Sequence, residues 1–423
     1  MKKLLMCSAA IALGLAVAAP AKADGIKLDL AGHFKGYVTW LSQDNTGAPT
    51  GTQERHFDIL RETEIHFTGE TTLDNGLTVG VHHEADIDSQ NRDGFQGSGQ
   101  DIFVTEESYA YFSGAWGRVN FGKEDGANYL LEVAAPSADE NFDGLRQYIN
   151  PFNGALTGAG LLDKGNGLGN SSVGGGVRGF INTGKLDYSD DATGYNNKLT
   201  YLTPVWSGFQ AGASYTPNVN GTLQIGGSPG NDASGAFGNP QKGVLGTFGD
   251  AWEGSARYEG KWQEVGVTLG GGYTHVQYTA FNALDTGTAF HQWNLGAAVT
   301  WQQLGLGVVY TTDNGAVHAD GENRTWVAGV DWTTGPFKLG ASYLNNHEGM
   351  GQDTLAGATS VKNGSLDTTR WAPGVVYTYG PGMTFRGSVG WVRTDIPTDG
   401  GNAASGGGHL NSTDVLLGTQ INF

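Results

Sequence analysis

The last eleven residues of the chain, 413–423, read TDVLLGTQINF, and their pattern decides the fold class. Every second position from Val415 to Phe423 carries an apolar residue or a threonine, and the positions between them form the other side. This period of two is typical of a β-strand with one apolar face. Residues 293–301, WNLGAAVTW, repeat the pattern with a tryptophan at each end. The sequence therefore predicts strands whose apolar face ends in aromatic residues.

The same alternation runs along nearly the whole chain and predicts sixteen strands. Their predicted ranges are 26–40, 57–72, 76–88, 102–113, 116–123, 196–204, 208–216, 251–261, 264–279, 288–302, 304–313, 324–334, 336–346, 369–380, 382–395 and 411–423. Short and long connections alternate between them, as in an up-and-down barrel, and an even number of strands places both termini at one rim. We predict an all-β fold, a sixteen-stranded antiparallel transmembrane β-barrel in outer-membrane lipid, formed by one domain over residues 24–423.

Composition supports this prediction and excludes other classes. Of the 423 residues, 70 are glycine, far above the usual share of about 7%, and glycine disfavours helices. After residue 23, no stretch approaches the roughly 18 consecutive apolar residues of a membrane-spanning helix. The formal net charge of −18 is opposite to the basic face that nucleic acids require, so we predict no nucleic-acid partner.

Residues 1–23 are predicted to be a signal peptide. Two lysines precede a short apolar stretch, and residues 21–23 have the small-x-small pattern of a signal-peptidase site. Cleavage between Ala23 and Asp24 would remove Cys7, the only cysteine. The remaining chain would then contain no disulfide and no cysteine-ligated metal.

Several segments resemble the Gram-negative general porins. They are 66–80 (HFTGETTLDNGLTVG), 117–123 (GRVNFGK), 197–204 (NKLTYLTP) with 208–215 (GFQAGASY), and the strand that ends in Phe423. The resemblance implies a barrel, usually a homotrimer, with its third loop folded into the lumen and its termini in the periplasm. It further implies passive diffusion of small hydrophilic solutes, and a terminal strand, ending in Phe423, that the outer-membrane assembly machinery binds.

The third, constriction loop is predicted to span residues 124–195, with short helical turns at 129–135 and 142–149. Its candidate pore residues are Asp139, Glu140, Asp143 and Arg146. The alternative for this segment is a solvated surface loop that covers the mouth of the barrel. Its carboxylates could bind calcium, which prefers oxygen ligands, but the spacing alone does not establish a site. We predict no cofactor and no metal site.

By alternation, acidic side chains of the second to fourth strands point into the lumen. They are Glu62, Glu64, Glu84, Asp86 and Glu106. Neighbouring strands lie about 4.8 Å apart, so Glu64, Glu84 and Glu106 can form one acidic patch. Related porins tend to carry arginines on this wall, and the chain departs from that pattern. The basic residues predicted to face inward lie on other strands and are Arg118, Arg257, Arg370 and Arg386.

The acidic patch predicts a channel that prefers cations, because carboxylates along a narrow aqueous path attract cations and repel anions. A substrate-specific channel, for example for a sugar, is the alternative, with Tyr37, Tyr129 and Tyr148 as candidate stacking residues. An outer-membrane hydrolase and a purely structural barrel also stay open, although no nucleophile motif is recognisable and no catalytic residue is predicted. The glycine pattern at 174–179 matches a dinucleotide-binding fingerprint but lacks a preceding strand and a following helix.

Overall fold

The structure is a computed structural model that describes residues 25–44, 56–87, 103–151, 186–219, 247–279, 288–315, 321–349, 365–396 and 408–423. The predicted signal peptide, with its cleavage site between Ala23 and Asp24, lies outside these residues, as does the glycine pattern at 174–179. Among the residues that are described, no helix has the length and apolar character needed to cross a membrane.

Sixteen antiparallel β-strands form the molecule, as predicted. They are β1 Lys27–Gln43, β2 Phe57–Thr72, β3 Thr78–Ile87, β4 Phe103–Gly114, β5 Gly117–Lys123, β6 Asn197–Leu202, β7 Phe209–Thr216, β8 Thr247–Trp262, β9 Val265–Thr279, β10 Phe290–Trp301, β11 Leu304–Asp313, β12 Asn323–Thr334, β13 Phe337–Gly349, β14 Ser365–Gly380, β15 Met383–Ile396 and β16 Gly408–Asn422. Each strand pairs with its neighbours in the sequence, and β1 pairs with β16, so the sheet closes into a barrel.

The two ends of the chain form the seam of the barrel. In the register of β1 and β16, Val38 lies opposite Leu417. The backbone N–H of Gly32 donates to the Phe423 carbonyl at 2.9 Å, and the Phe423 N–H donates to the Gly32 carbonyl at 3.1 Å. The last residue is therefore part of the sheet, and it lies at the same rim as Gly25, the first described residue.

Short connections join strands at this rim, and longer ones join strands at the other. Two-residue turns join β4 to β5, β8 to β9, β10 to β11, β12 to β13 and β14 to β15. Gly335 and Gly382 have φ values of 54° and 76° in two of these turns, a conformation that glycine adopts without steric cost. The connection between β5 and β6 is the longest, and its described part contains two short helices, α1 Ala127–Leu130 and α2 Glu140–Asp143.

Both helices begin earlier than the sequence predicted. The turns were expected at 129–135 and 142–149. The carboxylate of Asp139 accepts a hydrogen bond from the Asn141 N–H at 3.3 Å and so caps the start of α2, which ends at Gly144 in an extended conformation. The predicted ranges were wrong: α2 begins at its capping group rather than at the apolar residue that follows, and α1 begins after Gly126 without a side-chain cap.

The outer face of the barrel is apolar and aromatic, whereas the inner face is polar. Trp293 and Trp301, at the two ends of β10, are both 54% exposed. Tyr–Trp pairs between neighbouring strands recur around the barrel, with ring centroids 4.2 Å apart for Tyr273 and Trp293 and 4.4 Å apart for Tyr310 and Trp326. An apolar outside with aromatic edges and a polar inside is the pattern of a barrel surrounded by lipid.

Candidate functional site

The described parts of the connection between β5 and β6, residues 124–151 and 186–196, lie inside the barrel against its inner wall. At its start, the Ala127 N–H donates to the Ser214 hydroxyl of β7 at 2.8 Å. Further along, the side-chain amide of Asn141 donates to the Gln420 amide oxygen of β16 at 3.1 Å. The described part of the loop therefore follows the inner faces of β7 to β16, as the predicted in-folded loop requires.

Inward-facing glycines of the barrel form a track for this loop. A Cβ at Gly329 would lie 1.8 Å from the Pro136 carbonyl oxygen, and one at Gly340 would lie 2.6 Å from the Ala138 nitrogen. Any larger residue would therefore push the loop away from the wall. The members of this glycine track are Gly270, Gly272, Gly296, Gly307, Gly329, Gly340 and Gly390.

Asp139 binds the loop to the wall at β15 and β1. Its carboxylate accepts a hydrogen bond from Arg386 Nη1 at 2.7 Å and one from the Tyr37 hydroxyl at 2.9 Å. All three residues are buried. This ion pair, whose members were both predicted to line the pore, lies between the loop and the wall.

Asp143 and Arg370 are also buried behind the loop. The Ser342 hydroxyl donates to the Asp143 carboxylate at 2.6 Å, and Arg370 donates to the Phe142 carbonyl at 3.2 Å. Burial raises the pKa of Asp143 to about 6, although the charge of Arg370 acts in the opposite direction. Glu140 differs, since its side chain is 64% exposed. Of the three predicted loop carboxylates, the structure exposes Glu140 and buries the other two.

Arg146 connects the outgoing and returning parts of the loop. Its guanidinium donates to Asp191 at 2.5 Å, to Asp125 at 3.3 Å and to the Tyr195 hydroxyl at 2.6 Å. The Tyr195 hydroxyl donates in turn to the Glu106 carboxylate on β4 at 3.2 Å. Tyr195 thus links the paired Arg146 to the acidic wall, and the loop also contacts that wall where the Asp125 N–H donates to the Glu107 carboxylate at 3.2 Å.

The inner faces of β1 to β4 carry a group of charged residues that we call the wall cluster. Its members are His33, Lys35, Glu62, Glu64, His66, His82, Glu84, Glu106 and Glu107. Oxygen atoms of Glu64, Glu84 and Glu106 lie within 4.8 Å of one another, the proximity that strand spacing predicted. Asp86 is buried on the same wall, opposite Glu64 in the register. Five carboxylates of the cluster share one lysine and three histidines.

Glu107 is a member that the alternation of the sequence does not predict. In the register of β3 and β4, Glu84 lies opposite Glu107 but Ala85 lies opposite Thr105, so Glu106 is the extra residue of a β-bulge. Glu106 remains buried inside, while the Glu107 carboxylate lies 3.8 Å from His82 Nε2. The bulge therefore brings two successive glutamates into the lumen, and the local sequence carries no signal for it.

Lys35 is a second lumenal residue that was missing from the predicted pore residues, although the alternation of the sequence does place it on the inner face. It lies two residues from Tyr37 on β1, so alternation places it on the inner face. Its ammonium lies 2.6 Å from Glu62 and 3.3 Å from the ring centroid of Tyr148 in the loop. It is the fixed positive charge of the wall cluster.

The other predicted arginines contact the inner wall in different ways. Arg118 is buried, with its guanidinium 4.0 Å from the ring centroid of Tyr111. Arg257 forms an ion pair with Glu259 at 2.6 Å and donates to the Glu132 carbonyl in the loop at 2.5 Å. Neither arginine lies on the strands that carry the wall cluster.

A closed sixteen-stranded barrel that is apolar outside, polar inside and narrowed by an in-folded loop defines the class of the outer-membrane porins. The family model for Gram-negative porins matches residues 8–397, and the chain belongs to that family. The protein is thus an outer-membrane β-barrel porin, which confirms the resemblance seen in the sequence. No protein with curated annotation matches the chain in sequence.

Solved structures of outer-membrane proteins share this fold at low sequence identity. An anion-selective porin from Comamonas acidovorans is similar with a TM-score of 0.56 and 15% identity, covering 94% of this chain and 100% of that one. OmpF of Salmonella typhi, in complex with daunomycin, has a TM-score of 0.53 and 15% identity, covering 94% and 98%. The trimer form of in-vitro folded OmpT from Vibrio cholerae has a TM-score of 0.53 and 12% identity, covering 95% and 100%.

Proposed function

We propose that the protein is a water-filled channel for the passive diffusion of small hydrophilic solutes and ions, and that it prefers cations. The observation that carries this proposal is the wall cluster, in which the carboxylates outnumber the lysine five to one. In a narrow lumen with low-dielectric walls, such an excess raises the local concentration of cations and lowers that of anions. Salt screens this effect, so the preference is greatest at low ionic strength.

The predicted pore residues divide into two groups under this proposal. Asp139, Asp143, Arg370 and Arg386 hold the loop against the wall, since all four are buried: Asp139 pairs with Arg386, Asp143 accepts from Ser342, and Arg370 donates to loop backbone. The exposed Glu140 and the carboxylates of the wall cluster determine selectivity. The field across the lumen then arises from an acidic wall facing a loop whose Arg146 is already paired with Asp125 and Asp191.

A single-channel recording tests whether the barrel conducts. Reconstituted in a planar bilayer, the protein is expected to give stepwise increases in current whose size grows with the KCl concentration. A membrane that incorporates the folded protein and shows no steps would mean that the loop plugs the barrel, and the structural-barrel alternative would then replace the channel.

Adding increasing concentrations of sugar while this current is recorded distinguishes a sugar-specific channel from a general one. Tyr37, one of the candidate stacking residues, is buried and hydrogen-bonded to Asp139. The ring centroid of Tyr129 lies 4.3 Å from the Arg146 guanidinium carbon, and that of Tyr148 lies 3.3 Å from the Lys35 ammonium. A cation therefore covers one face of each ring. None of the three offers an open aromatic face on a common path, so we expect sugars to leave the current unchanged at concentrations that do not alter viscosity.

We further propose a homotrimer with periplasmic termini, exported with the aid of residues 1–23 and inserted by the outer-membrane assembly machinery. Support for the trimer comes from the trimer form of the Vibrio cholerae protein of similar fold. The expected result is a large species in unheated electrophoresis that heating converts to monomer.

We also propose that the protein is not an enzyme. A lipase or protease activity that is lost on mutating a rim histidine would contradict this.

A further inference from the structure

Two histidines and a glutamate of the wall cluster are spaced like the ligands of a metal ion. His33 Nε2 lies 3.6 Å from Glu64 Oε2, and His66 Nε2 lies 3.5 Å from the same oxygen. Ligand atoms of the three residues all lie within 4.8 Å of one another. Ligands bound at about 2.0–2.2 Å to a tetrahedral ion are roughly 3.3–3.6 Å apart. The two spacings to Glu64 thus already suit a shared ion, which would replace the contact of His33 Nε2 with the Glu62 carboxylate at 2.9 Å.

Glu84 holds the ring of His66 in a suitable orientation. Its Oε2 atom lies 2.9 Å from His66 Nδ1, which leaves Nε2 on the side of Glu64. In metal sites, a carboxylate that accepts the other ring N–H of a ligating histidine fixes its tautomer and strengthens it as a ligand. The contact between Glu84 and His66 distinguishes this site from a simple group of acids, because it leaves His66 Nε2 with a free electron pair for the metal.

We propose that His33, Glu64 and His66 bind Zn²⁺ or a similar divalent transition-metal ion on the lumenal wall, with Glu84 as a positioning residue. Two imidazole nitrogens and one carboxylate oxygen match the ligands that zinc uses in open sites, where a fourth position remains for water. Calcium and magnesium prefer oxygen ligands and higher coordination numbers. The His33 and His66 side chains are 14% and 24% exposed, so an ion can reach them from the lumen.

A neighbouring set of ligands shares His66. Atoms of His66, His82 and Glu84 also lie within 4.8 Å of one another, and His82 Nε2 is 3.8 Å from Glu84 Oε2. The Thr68 hydroxyl lies 2.9 Å from His82 Nδ1. His66 is thus common to both sets of ligands that contain histidine, and its replacement is the most informative variant.

An ion held at this position changes the electrostatics of the channel. It adds two positive charges to the wall whose carboxylates we propose to select cations, and it occupies space in the narrow part of the lumen. Submillimolar zinc should therefore reduce the current carried by potassium, whereas magnesium at the same concentration should not.

Cobalt absorption tests the site without relying on conduction. CoCl₂ added to the folded, purified protein is expected to give the visible bands of a four-coordinate Co²⁺ ion, which ZnCl₂ then displaces. The bands should be lost in His66→Gln and in His33→Gln, and Glu84→Gln should weaken binding about 10- to 100-fold. His83→Gln is the matched control, since this neighbour of His82 packs near Phe67, with ring centroids 6.5 Å apart.

A second histidine pair is the competing place for the metal, and binding there would overturn the proposal. His275 Nδ1 and His291 Nδ1 lie 3.4 Å apart, away from the wall cluster. If the bands persist in folded His66→Gln and His33→Gln but vanish in His291→Gln, the metal binds at that pair instead. Absence of bands in the wild-type protein would also overturn the proposal. The heat-modifiable oligomer and far-UV circular dichroism establish that each variant is folded.

A bilayer recording adds the functional readout. The half-blocking concentration of ZnCl₂ is expected to rise at least about tenfold in His66→Gln, with block in the wild type reversed by a chelator. Equal zinc sensitivity of His66→Gln and the wild type would contradict the site. If the protein does not conduct at all, the proposed channel function fails while the cobalt titration still decides on the metal site.

Discussion

Glu106 is buried at a β-bulge in β4, where it accepts a hydrogen bond from Tyr195 at 3.2 Å. Because the bulge also turns Glu107 inward, this short segment supplies two of the five carboxylates of the wall cluster. At the scale of single residues, selectivity should therefore respond to each of these charges, while the amide of a glutamine can still accept the tyrosine hydrogen bond.

We predict that Glu106→Gln lowers the ratio of potassium to chloride permeability by about twofold at low salt, the order expected for removing one screened charge near the ion path. The measurement is the reversal potential of each variant in the same KCl gradient. Glu322→Gln serves as the control, because Glu322 lies outside the strands and pairs with Arg324. Equal shifts of the reversal potential in both variants would contradict a particular contribution of the bulge to selectivity.

Asp143 provides a pH-dependent test at the same scale. Burial raises its pKa in the folded protein to about 6, above the usual value of about 3.9 for an aspartate. The folded state thus binds the proton more tightly, and the resulting stabilisation is complete below about pH 4 and is lost as the pH rises through 6.

In Asp143→Asn, this dependence should disappear. Between about pH 5 and pH 8, the free energy of unfolding of the wild type should fall relative to that of the variant by about 1.4 kcal/mol, roughly half of the full effect of about 3 kcal/mol. Denaturant midpoints at both pH values provide the measurement. A constant difference between the two proteins would contradict the assignment of the proton to Asp143.

At the scale of elements, the in-folded loop and the glycine track belong together. Alternation predicts the strands because their period is local, and the seventeen-residue span of β1 shows how far that period extends. The path of the loop follows instead from contacts between distant segments, such as Pro136 with Gly329. No local pattern encodes those contacts, so the sequence predicted that a loop enters the lumen through family resemblance alone.

Gly329→Ala should lift the loop while leaving the barrel intact. The new Cβ would lie 1.8 Å from the Pro136 carbonyl oxygen, and overpacking of this kind costs about 1–3 kcal/mol. The expected result is roughly tenfold faster tryptic cleavage after Arg146, since proteolysis follows local opening. Gly254→Ala is the matched control, because its Cβ meets nothing within 4 Å. Unchanged cleavage in Gly329→Ala would mean that the loop does not rest on this glycine.

The terminal strand gives a second test of an element. Phe423 exchanges two backbone hydrogen bonds with Gly32 across the seam, and the family resemblance assigns it to recognition by the assembly machinery. Deleting Phe423 is predicted to lower the amount of protein in the outer membrane severalfold, measured by surface labelling. Phe385→Ala, which removes an exposed aromatic residue of β15, should not do so. Wild-type surface levels after the deletion would contradict this role.

At the scale of the whole molecule, the sequence predicted the architecture more completely than the distribution of charge. The number of strands, the alternating connections and the acidic patch of Glu64, Glu84 and Glu106 followed from periodicity and strand spacing. The burial of Asp139 and Asp143 did not, because it depends on which side chains of distant strands each carboxylate meets, Arg386 for Asp139 and Ser342 for Asp143. The structure leaves the carboxylates of β2 to β4 as the main charge on a wall that the glycine track does not line.

The central claim is that this acidic wall makes the channel prefer cations. The most direct measurement is the reversal potential of the wild-type protein in a planar bilayer that separates two KCl concentrations at neutral pH. A potential with the sign of a potassium-selective membrane, decreasing in magnitude as both concentrations are raised in proportion, is the predicted result. A potential of the opposite sign, with chloride preferred over potassium, would contradict it.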